Sequence, residues 1–184
     1  GASIEYLYEK LIKLLPEHSV YGAENPGYRK IPRIYEEFGL SWKSLEMDDP
    51  GVSMESLRAS GANVLHVSPE HHYPLGTVTT AGRRQELLSW VSETSDRYII
   101  EDDYDCEFRY STKSIPALQS MDTSHRVIYM NTFSKSLAPA IRISYMVLPK
   151  KLMSRYISGA NFYSNSASSC EQYALARFIE NGSF

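Results

Sequence analysis

A lysine flanked by small hydroxyl residues lies between two apolar runs in the second half of the chain. The runs cover residues 127–130 and 143–148, and both are typical of buried strands. Between them the sequence reads Asn-Thr-Phe-Ser-Lys-Ser-Leu-Ala-Pro-Ala-Ile-Arg-Ile, with Lys135 near its start. Lysines are usually kept in water, so a lysine between buried strands indicates a chemical role. An uncharged lysine amine can condense with a carbonyl group.

Three neighbours of this lysine have the groups that a phosphate needs. Thr132 and Ser134 have hydroxyl donors, and Arg142 has a guanidinium fork that can hold phosphate oxygens. The segment combines a lysine that can react with an aldehyde and Ser, Thr and Arg residues that can bind a phosphate. This combination predicts pyridoxal phosphate (PLP) as the ligand. Lys135 is the candidate for covalent attachment.

The same segment resembles a known family. Ser134-Lys135 with an arginine seven residues after the lysine resembles the Schiff-base segment of fold-type I PLP-dependent enzymes, the aspartate aminotransferase superfamily. The longer string at residues 132–149 resembles the aminotransferase-like domain of MocR-type regulators, in which a GntR-type winged helix is fused to that domain. The resemblance implies that Lys135 forms the Schiff base with PLP and that Thr132, Ser134 and Arg142 anchor its phosphate.

An acidic string follows another apolar run. Residues 98–100 read Tyr-Ile-Ile and residues 101–110 read Glu-Asp-Asp-Tyr-Asp-Cys-Glu-Phe-Arg-Tyr. Open α/β sheets bind ligands at the carboxyl ends of their strands, although adjacent carboxylates can also hold Mg²⁺ or simply face solvent. The string is typical of the MocR branch. The resemblance implies that Asp102 pairs with the protonated pyridine nitrogen and that Tyr104 contacts the ring hydroxyl; the other acids are expected to be structural.

Two turns add further candidates. Gly1-Ala2-Ser3 opens a predicted helix, where backbone N–H groups can bind phosphate or simply cap the helix. The resemblance implies that Ala2 and Ser3 hold the cofactor phosphate. After the Pro-Gly turn at residues 26–27, Tyr28 is either a core tyrosine or, as the resemblance implies, the aromatic that packs against the cofactor ring.

A third loop covers residues 68–77, Ser-Pro-Glu-His-His-Tyr-Pro-Leu-Gly-Thr. It resembles the family loop Asn-Pro-Thr-Gly near the ring oxygen, with Tyr73 where many aminotransferases have asparagine. Adjacent histidines such as His71 and His72 point apart and no third ligand is evident, so no metal is expected. The basic residues 29, 30 and 33 either form a solvated face or, as in some family members, meet a substrate carboxylate.

Composition limits the remaining choices. The chain has 184 residues, of which 42% are hydrophobic and 22% charged, as in an ordinary globular domain. A net charge of -3 and a pI near 6.0 argue against a basic nucleic-acid face. No apolar run approaches a membrane span, and the two cysteines show no metal-like spacing. A cytoplasmic protein is expected.

Strand-like and helix-like segments alternate along the whole chain. This pattern predicts an α/β fold with three α/β/α layers and a mostly parallel sheet. A helix over residues 171–180 is expected to turn Leu175 and Phe178 inward. The resemblance implies a PLP-dependent transferase-like large domain.

The family pattern also predicts what the chain lacks. Residues 1–184 are expected to be a truncated large domain, without the winged helix and without the small C-terminal domain, and therefore catalytically incomplete. The expected role is effector sensing in a regulator: PLP is held as a Schiff base and exchanged with an amine or amino acid, in a homodimer, with DNA bound only through the absent N-terminal domain. The alternatives are a fragment of a free-standing class I/II aminotransferase and a fold without a working cofactor site.

Overall fold

The computed structural model describes residues 4–108, 115–160 and 165–184. Within these residues a seven-stranded sheet has the order β3-β2-β1-β4-β5-β6-β7. The strands are β1 (Val20–Asn25), β2 (Ser41–Asp48), β3 (Gly51–Val52), β4 (Val64–Val67), β5 (Tyr98–Asp102), β6 (Val127–Thr132) and β7 (Ser144–Val147).

The five central strands run parallel, and the two outer strands, β3 and β7, run antiparallel to their neighbours. Every residue of β4 and β5 is buried, because helices cover both faces of the sheet there. Asp102 is the last residue of β5 and is in register with Met130 of β6. This register places Asp102 at the carboxyl edge of the sheet, beside the strand whose end leads to Lys135.

Helices occupy most of the connections. They are α1 (Ile4–Ile12), α2 (Lys30–Glu37), α3 (Met54–Ser60), α4 (Ala81–Ser92), α5 (Leu118–Met121), α6 (Phe133–Ser136), α7 (Lys150–Arg155), a π-helical segment (Tyr156–Ala160) and α8 (Ser169–Glu180). Ser53 caps α3 and Thr80 caps α4 through side-chain oxygens that accept backbone N–H bonds. Among the described helices, none is both long enough and apolar enough to cross a membrane.

Two hydrophobic cores lie on opposite faces of the sheet. On one face α1, α2 and α7 cover the strands, and on the other α3, α4 and α5 cover them. The first core includes Tyr8, Tyr35 and Leu152, and the second includes Leu57 and Trp90. The predicted three-layer α/β/α architecture with a mostly parallel sheet is therefore confirmed.

Two expectations about burial are wrong. The run at residues 143–148 was expected to be a buried strand, but β7 alternates between half-buried and exposed residues because it is an edge strand with one open face. In α8 no residue is buried by the described part of the chain, so Leu175 and Phe178 do not face inward; Leu175 is half-buried and Phe178 is 37% exposed. The apolar periodicity predicted the helix itself correctly.

Candidate functional site

A cavity of about 430 Å³ opens at the carboxyl edge of the sheet. The candidate residues that the structure brings together in its lining are Tyr28, Tyr73, Asp102, Tyr104, Thr132, Ser134, Lys135 and Arg142. The other two candidates, Ala2 and Ser3, lie outside the described residues. The strands and their following turns converge here because parallel strands end at the same edge.

Lys135 reaches this cavity from α6, which begins directly after β6. The last residue of β6, Thr132, caps that helix by accepting the backbone N–H of Ser134 at 3.2 Å. The expectation that Lys135 is removed from water is wrong, because α6 stands at the open edge of the sheet and leaves the side chain exposed.

Lys135 and Arg142 are cations of the cavity that have no partner in the described part of the chain. Both are exposed, and neither forms a hydrogen bond or ion pair with another described residue. Lys30 also lines the cavity but is paired with Glu5 at 3.2 Å. The charge of Lys135 acts on Asp105: burial raises the pKa of this carboxyl group, while the charges of His71 and Lys135 act in the opposite direction. Positive charge in this part of the cavity is therefore available to an anion.

The two candidate hydroxyls serve the local chain as well as the cavity. Ser134 Oγ donates to the carbonyl oxygen of Ile141 at 2.6 Å, and Thr132 Oγ1 donates to that of Ile143 at 3.4 Å. Thr132 Oγ1 also accepts from Ser144 Oγ at 3.0 Å. These bonds tie the start of α6 to the segment that carries Arg142. Either hydroxyl would have to turn its hydrogen away from a carbonyl to donate to a phosphate.

Asp102 and Tyr104 form the acidic and phenolic side of the cavity. Asp102 is 9% exposed, and its Oδ2 lies 3.4 Å from Nε2 of His66. The Tyr104 hydroxyl donates to the backbone oxygen of His71 at 2.9 Å. Burial, followed by the charges of Asp105 and Asp102, raises the pKa of Tyr104 to about 12, so the phenol keeps its proton at neutral pH.

Two tyrosines stand at the mouth of the cavity. Tyr28 and Tyr73 meet edge to face, with ring centroids 6.2 Å apart and an angle of 87° between the rings. They are 38% and 56% exposed, so neither is a core residue. Each is part of a turn with a cis X-Pro bond, Asn25–Pro26 and Tyr73–Pro74. An aromatic wall of this kind suits a flat ligand ring.

The remaining acids of the string at residues 101–105 have partners of their own. Glu101 accepts the backbone N–H groups of Leu118 and Gln119 at 2.8 and 2.9 Å, which caps α5. Asp103 accepts from the hydroxyl of Tyr129 at 2.8 Å, and Asp105 pairs with His71 at 2.8 Å. Among the described residues no group of three or more His, Cys, Asp or Glu side chains is arranged to hold a metal ion.

Arg84 supports the site, and the sequence reasoning missed it. This arginine of α4 is fully buried and donates to the carbonyl oxygens of Thr79, Pro116 and Pro69 at 3.0–3.1 Å, and to Glu70 at 3.0 Å. It thereby fixes the loop that carries Tyr73. The sequence did contain a pattern that indicates a buried Arg84. This arginine lies on the same helix face as Leu87, Leu88 and Val91, at spacings of three, four and seven residues.

Comparison with solved structures defines the class of protein. The chain superimposes on an archaeal alanine:glyoxylate aminotransferase with a TM-score of 0.85 and 23% identity, over 98% of this chain and 47% of that one. It also matches a kynurenine aminotransferase from Pyrococcus horikoshii, solved with PMP, with a TM-score of 0.76 and 25% identity, over 96% of this chain and 46% of that one. The fold is that of a PLP-dependent transferase-like domain.

Sequence comparison gives the particular branch. The chain is 40% identical over 182 residues to the HTH-type transcriptional regulator YdeL of Bacillus subtilis, covering 99% of this chain and 39% of YdeL. It is 35% identical over 174 residues to the probable rhizopine catabolism regulatory protein MocR of Rhizobium meliloti, covering 93% of this chain and 34% of MocR. No protein-family model matches the chain. Sequence and fold together match the aminotransferase-like domain of MocR-type regulators.

The match covers only part of each relative. The chain spans somewhat over a third of the length of these regulators and about half of the aminotransferase chains. The activity, ligands and partners of a longer protein are therefore proposals.

Proposed function

We propose that this chain is the ligand-sensing domain of a MocR-type transcription regulator, and that its cavity binds PLP through Lys135 and responds to an amine or amino acid. The observation that carries the proposal is the set of charges in one cavity. The exposed cations Lys135 and Arg142 have no partner among the described residues, and the carboxylate of Asp102 lines the same cavity. PLP has matching groups: an aldehyde, a phosphate dianion and a basic ring nitrogen.

The size and walls of the cavity also support PLP. Ligand pockets commonly measure about 300–1,000 Å³, and this cavity falls within that range. Tyr28 and Tyr73 offer faces for a flat ring. Arg142 would hold phosphate oxygens with two N–H groups, which is a strong charge-assisted contact. The residues present therefore fit the cofactor that the resemblance implies.

Each residue would have a separate task. Bound PLP supplies an electrophilic carbon and an electron-withdrawing ring. Lys135 would hold the cofactor through its amine. When a primary amine occupies the site, the amine of Lys135 could accept or return a proton. Asp102 would keep the ring nitrogen protonated. The phenol of Tyr104 would turn its proton from the backbone oxygen of His71 to donate to the ring oxygen.

A sensing role is favoured over turnover by the relatives. The regulators are 35–40% identical to this chain, whereas the aminotransferases are 23–25% identical and share the fold. Fold alone does not fix function. The DNA-binding part would lie in the portion of the regulators that this chain does not span, and a homodimer is proposed from the resemblance alone. A catalytic aminotransferase remains the second candidate, supported by the fold.

The first experiment tests cofactor attachment. The purified chain is mixed with PLP, its visible absorption is recorded, and the mixture is reduced with borohydride and weighed by mass spectrometry. We expect a shifted absorption band and one covalently retained cofactor, both lost in Lys135→Ala. Lys43→Ala removes an exposed lysine outside the cavity and should behave like the unchanged chain. Equal labelling of Lys135→Ala would contradict the proposal.

A second experiment separates sensor from enzyme. The longer parent protein, loaded with PLP, is mixed with candidate amines and amino acids, and its absorption and its affinity for DNA from its own upstream region are followed. A sensor changes both without consuming the amine. Steady formation of a keto acid with unchanged DNA affinity would favour the aminotransferase.

A further inference from the structure

Four buried ionisable side chains form a cluster directly behind the cavity. His66 of β4 faces Asp102 of β5, with Nε2 and Oδ2 3.4 Å apart. His72 faces Glu24 of β1, with Nε2 and Oε2 3.5 Å apart. All four are at most 9% exposed, and of the four only Asp102 lines the cavity. The cluster therefore connects three neighbouring strands to the one carboxylate that can meet a ligand.

Some buried polar atoms of the cluster lack hydrogen-bond partners, which is unfavourable if the cluster has only a structural role. Among the described residues His66 Nε2 and Glu24 Oε1 have no hydrogen-bond partner. The His66 and Asp102 atoms are at ion-pair distance but not in hydrogen-bond alignment, so a bond between them needs a change of orientation and not of distance. Buried polar groups are normally bonded, and unbonded ones cost stability. An arrangement that costs stability and adjoins a ligand cavity points to function.

Among the described residues, His66 is the side chain at ion-pair distance from Asp102. From α1, the ring of Tyr8 lies 6.1 Å from that of His66, and its hydroxyl is engaged with Tyr35. From β1 comes Glu24, which accepts the backbone N–H of Ser68 at 3.2 Å. No lysine or arginine of the described chain forms an ion pair with Asp102 or Glu24.

The charge state of Glu24 supports this assignment. Burial raises its pKa to about 8; the N–H of Ser68 opposes this shift and the charge of Asp102 adds to it. Burial also lowers the pKa of His72. At neutral pH the Glu24 and His72 pair is therefore mostly uncharged, and Asp102 is the acid of the cluster that faces the cavity.

We propose that His66 is a positioning residue for Asp102: its Nε2–H holds Oδ2 and leaves the second carboxylate oxygen for a protonated ring nitrogen in the cavity. This inference rests on the proposed function. A carboxylate that is hydrogen-bonded from behind has one orientation toward the ligand. The side chain therefore loses less conformational entropy when the ligand binds. Without His66, Asp102 can rotate and its contact with the ring nitrogen weakens.

The first test needs neither a variant nor a cofactor. Nitrogen-15 NMR of the labelled chain distinguishes a histidine that carries its proton on Nε2 from one that carries it on Nδ1. We expect His66 at neutral pH to carry a proton on Nε2. A bare Nε2 with the proton on Nδ1 would overturn the assignment, because that nitrogen could not donate to Asp102.

The second test compares two ligands. PLP has a ring nitrogen that can be protonated, and its 1-deaza analogue has carbon at that position. We expect His66→Phe to weaken PLP binding about tenfold and to leave binding of the analogue unchanged, with His66→Gln partly restoring PLP affinity through its amide N–H. His72→Phe is the matched control, since it removes an equally buried histidine that pairs with Glu24, and it should not discriminate between the ligands.

The outcomes separate this inference from the proposed function. If the unchanged chain binds neither ligand, the proposal of a PLP site fails, and the NMR result alone decides the position of the His66 proton. If the unchanged chain binds PLP and His66→Phe weakens both ligands equally or neither, the site stands and His66 has no positioning role. If His66→Phe weakens the binding of PLP but not of the analogue, the result supports both the PLP site and the positioning role of His66.

Discussion

Arg142 places an exposed guanidinium in the cavity without a carboxylate partner among the described residues. Hydrogen bonds to charged groups contribute about 1.5–3 kcal/mol, so Arg142→Ala should weaken PLP binding roughly 10- to 100-fold. Fluorescence titration with PLP and with pyridoxal, which lacks the phosphate, measures this directly. The pyridoxal affinity should not change.

Arg33→Ala is the control for this experiment, because Arg33 is an exposed arginine of α2 that does not line the cavity. If Arg142→Ala weakens PLP and pyridoxal by the same factor, Arg142 does not bind the phosphate. The difference between the two ligands is the decisive quantity, since a general disturbance of the fold would affect both.

The buried carboxyl group of Glu24 should make the stability of the fold depend on pH. Burial raises its pKa from 4.5 to about 8, so between these values the folded chain holds one more proton than the unfolded chain. The free energy of unfolding therefore falls as pH rises through this window, by at most about 1.4 kcal/mol per pH unit, and levels off above it. Glu24→Gln removes this contribution.

Urea unfolding at pH 5, 6.5 and 8 checks the prediction through the difference between the variant and the unchanged chain. Because other groups also titrate, including Glu101 with a pKa near 7, only that difference reports Glu24. We expect Glu24→Gln to gain relative stability with rising pH. Glu37→Gln, at an exposed position, should give a constant difference, and a constant difference for Glu24→Gln would show that Glu24 is charged in the fold.

At the scale of elements, α4 positions the Tyr73 loop through Arg84. Its guanidinium satisfies three backbone carbonyls and Glu70 in a fully buried position. Arg84→Met keeps the apolar stem but leaves those acceptors unpaired, which should lower the free energy of unfolding by about 3 kcal/mol. Chemical denaturation measures the loss, and Gln85→Ala at the exposed neighbouring position should stay within about 0.5 kcal/mol. An equal effect of the two variants would rule out the anchoring role.

The turn between β1 and α2 depends on a glycine. A Cβ at Gly27 would overlap the backbone oxygen of Glu24, whereas a Cβ at Gly82 in α4 has no close neighbour. Gly27→Ala must therefore move the turn that carries Tyr28, and we expect lower stability and weaker PLP binding. Gly82→Ala should instead stabilise α4 by about 0.5–1 kcal/mol. Thermal unfolding of both variants tests the opposite signs, and a stable Gly27→Ala chain with unchanged PLP affinity would show that the turn tolerates the shift.

Across the whole molecule, local patterns predicted most of the fold, and they selected most of the candidate residues that line the cavity. Alternating apolar runs and caps located the strands and helices, and the motifs selected Lys135, Asp102 and Arg142, which the structure brings together. The exposure of side chains was harder to predict, because it depends on which other elements cover a strand or helix. β7 is an edge strand, and no described element buries residues of α8. His66 could not be selected, since its partner lies 36 residues away on a neighbouring strand and pairing across strands leaves no local pattern.

The net negative charge of the chain is unfavourable for binding DNA. Binding to DNA depends largely on cations that neutralise phosphates, and this chain has a net charge of -3 with a pI near 6.0. Two of its exposed cations, Lys135 and Arg142, lie in the cavity, where the proposed cofactor would neutralise them. We expect no retardation of double-stranded DNA by this chain at about 0.15 M salt, in gel-shift measurements with and without PLP. A longer parent protein with a basic helix-turn-helix segment should retard the same DNA, and retardation by this chain alone would place a DNA-binding surface on the aminotransferase-like domain itself.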